Sequence, residues 1–345
     1  MFNNYSLPLF YKIDTNIKEF LIESIDKLKV KKIIFLTDEI VYELYAKEYI
    51  NILERIHNIK LEFIKDNSIS YSMNLAEKII EEEIDLIIGM GGGRVLDTCK
   101  YVSYISKVSF ISLPTTVAND GIASPIAVLK DKQDFTRSLG AKVPSGILID
   151  LNIIEKAPIK FLKAGIGDIL SNYTALFDWK ISGDNVNDFA YLISKTAFNS
   201  IFYFKNKDLK NKDFLKKVCE AIILSGISME IAGTSRPCSG AEHLFSHYID
   251  KYYSKNNLHG LQVALGAVVD CYFQKRNYME LIKFLKDLEI DVSPKKLNIS
   301  FEEFLDSWNN CKKMRKNRKT ILDFIEIPEE SYIKVYKRLE EEFNK

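Results

Sequence analysis

Short apolar runs alternate with amphipathic stretches through the first 150 residues. The runs at 32–37 (KIIFLT), 61–65 (LEFIK), 86–89 (LIIG), 110–113 (FISL) and 147–150 (ILID) have the length and β-branched content of strands. Helical stretches such as 73–83 (MNLAEKIIEEE) lie between them. Strand and helix in alternation predict βαβ units on a parallel sheet. After Asp150 the strand signal fades. Segments 189–198, 214–224 and 281–288 carry apolar residues at helical spacing instead. The expectation is an α/β domain over residues 1–155 and a helical domain over 156–345, with the boundary in the string 151–158 (LNIIEKAP).

Composition narrows the class. A chain of 345 residues is long enough for two domains with a large core. Its net charge of +1 offers nucleic acid no strong field. Five scattered cysteines, Cys99, Cys219, Cys238, Cys271 and Cys311, form no C-x-x-C pair. That spacing suits a reducing compartment rather than a disulfide framework. The first ten residues lack the basic and apolar regions of a signal peptide, and no stretch reaches the roughly 20 apolar residues of a membrane span. A cytoplasmic protein is expected.

The chemistry concentrates in a few places. Three of four histidines, His243, His247 and His259, fall within seventeen residues. His243 and His247 are four apart and share a helix face. Neutral imidazole binds Zn²⁺, Ni²⁺ or Fe²⁺, and a catalytic site needs about three protein ligands and one open position. H-E-x-x-H is absent, because Glu242 precedes His243 and is expected to point away from the shared face; a zinc peptidase is disfavoured. Asp168, beside Gly165 and Gly167, reads as a helix N-cap or as the oxygen ligand that completes a site with two histidines.

Gly89, Gly91, Gly92 and Gly93 lie between a strand and a helix, where backbone N–H groups can approach a phosphate. The dinucleotide pattern G-x-G-x-x-G fails at Arg94, and no G-K-[ST] follows. Asp38, at the end of a strand, reads as a ribose 2′-hydroxyl acceptor that repels the 2′-phosphate of NADP, or as a helix cap. In the stretch 113–125, Thr115, Thr116 and Ser124 can donate to a phosphate or a nicotinamide amide, and Asp120 can hold a substrate hydroxyl. The run 312–319 (KKMRKNRK) carries six positive charges in eight residues; it reads as a solvated face, and it is the one stretch that hints at a polyanion.

Five motifs together resemble the sn-glycerol-1-phosphate dehydrogenase family, within the dehydroquinate synthase-like and iron-containing alcohol dehydrogenase superfamily. They are GGGRVLDTCK (91–100), PTTVANDGIASP (114–125), GDILSNYTALFDWK (167–180), SRPCSGAEHLFSH (235–247) and HGLQV (259–263). The match spans about residues 30 to 270. The resemblance implies a Rossmann-like nucleotide-binding domain followed by a helical domain, with the active site in the cleft. It implies metal ligands at Asp168, His243 and His259, zinc first, with nickel or iron as other candidates. It implies substrate contacts at Asp120, Asp168 and His247, so His247 becomes a substrate residue rather than a ligand. It implies cofactor contacts at Gly91, Gly92, Gly93, Arg94, Val95, Asp97, Thr115, Thr116 and Ser124.

The implied reaction is hydride transfer between NAD(H), with NADP as a further candidate, and dihydroxyacetone phosphate, giving sn-glycerol 1-phosphate. The expected partner is therefore a small phosphorylated triose, with a homo-oligomer in view. Two departures stand out: Cys238 replaces a small residue, and Asp38 favours NAD. Arg236 and Lys180 are the candidates for the substrate phosphate. Competing readings are a glycerol dehydrogenase acting on the unphosphorylated compound, a dehydroquinate synthase-type cyclase, and a non-catalytic nucleotide-binding homologue.

Overall fold

The computed structural model describes residues 6–253 and 255–344. The chain divides into two compact units, Met1–Ile159 and Lys160–Lys345.

The first unit is built on a parallel sheet of six strands: β1 (Phe10–Asp14), β2 (Lys32–Thr37), β3 (Asn58–Phe63), β4 (Leu86–Gly91), β5 (Ser109–Pro114) and β8 (Gly146–Asp150). A separate antiparallel hairpin pairs β6 (Ile126–Lys130) with β7 (Thr136–Gly140). The order across the sheet is β1-β8-β5-β4-β2-β3. Strands β4 and β8 are buried along their whole length. That explains their unbroken apolar runs, since helices cover both faces of a parallel sheet. The sequence signal missed β1, β6 and β7. Strand β1 lies at the edge and interleaves exposed with buried positions, so its apolar run is broken. Strand β3 starts three residues before its expected place, because the exposed Asn58 and half-buried Lys60 mask the pattern at the other edge.

The chain leaves β2 for β3 on one side, then returns to place β4 on the other side of β2. This reversal makes the carboxyl ends of β2 and β4 a topological switch point, where open α/β sheets bind ligands. Asp38 follows the first of these strands and Gly92–Gly93 the second.

The second unit is helical. Its main helices are Ile159–Ile181, Asp188–Phe202, Lys212–Ala232, Ala241–Tyr252, His259–Phe273, Tyr278–Asp287, Phe301–Asn310 and Glu329–Phe343. Asn187 and Asn211 cap two of them, and Ser300 with Glu303 forms a reciprocal capping box. Phe245 and Trp308 stack in the core with ring centroids 4.8 Å apart. Among the described residues no helix is long and apolar enough to cross a membrane.

Candidate metal and cofactor sites

Asp168 is not at a helix start. It lies in the middle of the helix Ile159–Ile181, and Gly167 beside it serves packing. A Cβ on Gly167 would stand 2.3 Å from the Gly260 carbonyl oxygen, and one on Gly260 would stand 1.9 Å from that of Ala164. Only glycine lets the two backbones approach so closely. His259 is the first residue of the second helix, next to Gly260. The crossing therefore sets His259 beside Asp168, with Nε2 4.0 Å from Oδ1.

His243 arrives from the helix Ala241–Tyr252, with Nε2 3.7 Å from the same oxygen. One donor atom from each of the three side chains lies within 4.8 Å of the others. Donors at about 2.0–2.2 Å from one ion span up to roughly 4.3 Å, so slight inward movement closes the set on a single cation. The outer nitrogens are already engaged. His243 Nδ1 is 3.0 Å from Glu242 Oε1, and His259 Nδ1 is 3.0 Å from Ser246 Oγ. Such partners fix the tautomer and leave both Nε2 atoms turned toward the shared point. Burial, with His243 nearby, pushes His259 down to about 3, so its imidazole is neutral and able to ligate. The residues present thus fit a divalent cation.

His247, one turn beyond His243, stacks against His259 with centroids 5.7 Å apart and planes 16° from parallel. Burial holds it well below its ordinary value, and His259, His243, Arg315 and Arg318 add to that effect. It is a neutral imidazole beside the triad.

Glu242 corrects the sequence reading. It is fully buried, and its Oε1 accepts from the Gly240 backbone N–H at 2.5 Å while facing His243. At the first turn of a helix the long side chain folds back, so angular position alone misplaced it. Glu242, Asp178 and Asp270 form a second buried carboxylate group. Burial and the Glu242 charge raise Asp178 to about 7; burial with both neighbours raises Asp270 well above the carboxylate range. Asp178 also accepts from the backbone N–H groups of Ala241 and Ile321, each at 2.9 Å. This cluster pins the start of the histidine-bearing helix.

In the first unit, Gly91 closes β4 and Gly92 caps the helix Gly93–Ser106. Val95 fills the space under Gly91, where a Cβ would come within 2.6 Å of it. Above the loop there is room. A Cβ on Gly93 would meet nothing within 4 Å, and one on Gly92 only Thr116 Oγ1 at 3.7 Å. An open loop at the amino end of a fourteen-residue helix fits a phosphate-bearing cofactor.

Residues 12–158 match the family described as iron-containing alcohol dehydrogenase. The chain is 32% identical over 345 residues to the NAD(P)+ glycerol-1-phosphate dehydrogenase of Archaeoglobus fulgidus, covering 96% of this chain and 97% of the relative. It is 36% identical over 333 residues to that of Methanococcus vannielii, covering 92% and 93%. The chain belongs to the glycerol-1-phosphate dehydrogenase family. Its fold is also that of a glycerol dehydrogenase from Schizosaccharomyces pombe, with a TM-score of 0.82 at 19% identity over 99% of this chain and 91% of that one.

The other expected residues of this family member divide by environment. Asp97 pairs with the fully buried Lys100 at 2.8 Å, and Ser124 Oγ lies 3.5 Å from the same Nζ. Lys100 also donates to the Ile126 carbonyl, so it ties the glycine-loop helix to the hairpin. The Ser124 hydroxyl is therefore turned into the fold. Thr115 is buried and its N–H donates to the Gly91 carbonyl at 3.0 Å, locking the two strand ends together. Thr116 and Asp120 are half-buried, and Arg94 is exposed. Asp38 caps its helix, accepting from Val41 N–H at 2.9 Å. Lys180 is exposed, with Nζ 4.3 Å from the Tyr191 ring. Cys238 is buried, its thiol against Ser228 Oγ and the Ser225 carbonyl, inside the helical packing. Sequence reasoning missed Ser246, Lys100 and the inward-turned Arg315 and Arg318. Their signal was only a polar residue in a helical pattern or a charge in a basic run.

Proposed function

We propose that the chain is a metal-dependent oxidoreductase that reduces dihydroxyacetone phosphate to sn-glycerol 1-phosphate with NADH, NADPH being the secondary cofactor. The observation that carries this reading is the Asp168–His243–His259 set, with both outer nitrogens engaged and both Nε2 atoms turned inward. Family membership and the open glycine loop support it.

Zinc is the first candidate metal, because two imidazoles and a carboxylate suit it; nickel and iron follow. When bound, the cation supplies a Lewis acid for the substrate carbonyl and the dinucleotide supplies hydride. The chain's own residues do the rest. Asp168, His243 and His259 hold the cation, and Glu242 and Ser246 keep the two rings oriented. Neutral His247 offers one N–H and one lone pair, so it can bind the substrate and relay a proton, its N–H proton passing to the reduced oxygen as its other nitrogen takes one from water. Backbone N–H groups at Gly92 and Gly93 receive the cofactor phosphates, with Thr115 and Thr116 at the adjacent strand end. Asp120 is assigned to a substrate hydroxyl. Asp38 is assigned to the ribose. Five buried, unbridged cysteines suit a reducing compartment such as the cytoplasm.

The test is oxidation of NADH by dihydroxyacetone phosphate and by dihydroxyacetone, with and without added Zn²⁺. A preference for the phosphorylated triose supports the reading. Equal use of the free triose favours a glycerol dehydrogenase instead.

A further inference from the structure

The basic run at 312–319 is only partly a solvated face. Lys312, Lys313, Lys316 and Lys319 are exposed, but Arg315 and Arg318 turn inward. With Arg236 they line a cavity of about 350 Å³, bounded also by Trp179, Asp184 and Thr234.

The three guanidinium groups are held in place. Arg236, 5% exposed, donates to the Lys319 carbonyl at 2.6 Å and pairs with Asp184 at 2.5 Å. Arg315 Nη1 and Arg318 Nη2 both donate to Ser235 Oγ, at 3.0 and 2.8 Å. Arg318 Nη1 also donates to the Ser239 carbonyl. One hydroxyl thus gathers two cations. Asp184 is the one carboxylate ion-paired with the three among the described residues. Burial, then repulsion from Arg315 and Arg236, pushes Arg318 down to about 9, so it stays protonated near neutrality. Three cations facing one acid in a partly desolvated cavity are costly without an anion. Each guanidinium carries five N–H donors in a planar fork matched to phosphate oxygens, and most of these remain available.

One chain segment links the arginines to the metal set. The segment Ser235–Ser239 supplies the arginines' acceptors and leads into the helix that carries His243 and His247. Ser171, one turn beyond Asp168, donates to the Cys238 carbonyl in that segment at 2.8 Å and to the Asp168 carbonyl at 2.6 Å.

We propose that Arg236, Arg315 and Arg318 bind the phosphate of the triose substrate while the Asp168–His243–His259 set receives its carbonyl end. This rests on the reading given under Proposed function. It makes the arginines the residues that separate a phosphorylated from a free triose.

The test uses the full-length, zinc-loaded enzyme with Arg315→Gln, Arg318→Gln, the double variant, and Arg318→Lys. The ratio of kcat/KM for dihydroxyacetone phosphate to that for dihydroxyacetone is expected to fall roughly 10- to 100-fold per arginine removed, chiefly through KM. Arg318→Lys keeps the charge but loses the fork, so it should fall between. Inorganic phosphate is expected to raise the Tm of the wild type and not that of the double variant. A ratio unchanged in folded variants overturns the assignment, as does phosphate protection that survives both substitutions. If the wild type uses both trioses equally, the substrate reading fails. Phosphate protection then decides the anion site: its loss in the double variant supports the arginines, and its persistence overturns them.

Discussion

Gly260 stands so close to Ala164 that a Cβ on it would lie 1.9 Å from the Ala164 carbonyl oxygen. This approach sets the distance between the helix bearing Asp168 and the helix that begins with His259. Gly260→Ala must push the helices apart. Overpacking of this kind costs roughly 1–3 kcal/mol, and backbone contact puts this site at the upper end. Denaturant unfolding of the metal-free chain should show the loss, and metal analysis should show reduced zinc content. An unchanged midpoint with full zinc content would mean that the crossing is not rigid.

His259→Ala removes one of the three proposed ligands and a Ser246 partner. The chain should stay folded by circular dichroism, lose its metal on dialysis, and lose activity. A fully active, metal-free variant would sink the metal assignment.

Glu242→Gln keeps the size and one acceptor oxygen but removes the charge facing His243 Nδ1. Outer-shell changes of this kind typically weaken metal affinity about 10–100-fold. Competition with a chelator measures it. If affinity is untouched, Glu242 serves only to pin the helix start.

Asp38→Gly tests cofactor choice. The carboxylate caps a helix through Val41, and replacing such a cap with glycine costs only a few tenths of a kcal/mol. The fold should therefore persist. The kcat/KM ratio of NADPH to NADH should rise, because the negative charge at the proposed ribose site is gone. A wild type that uses both cofactors equally removes Asp38 from that role.

The product should have sn-1 configuration. Stereospecific glycerol-3-phosphate dehydrogenase should leave it unconsumed; consumption by that enzyme contradicts the assigned stereochemistry.

Local pattern alone was enough for the parallel-sheet half and the helical half. A buried strand shows as an apolar run, and an amphipathic helix as a 3.6-residue period. It was enough also for the histidine cluster and the glycine loop, because rare residue types at fixed spacing stand out against composition. The three-dimensional fold decided what spacing cannot carry. Gly165 and Gly167 looked like a helix start, yet the helix runs through them. The steric need that Gly167 meets comes from Gly260, more than ninety residues away in the chain. Glu242 looked turned away, yet its flexible side chain folds back onto the neighbouring ring. Arg315 and Arg318 looked solvated, yet a hydroxyl from Ser235, some eighty residues earlier, draws both inward. In each case the deciding contact joins groups whose proximity is created only by packing, and no periodicity records it.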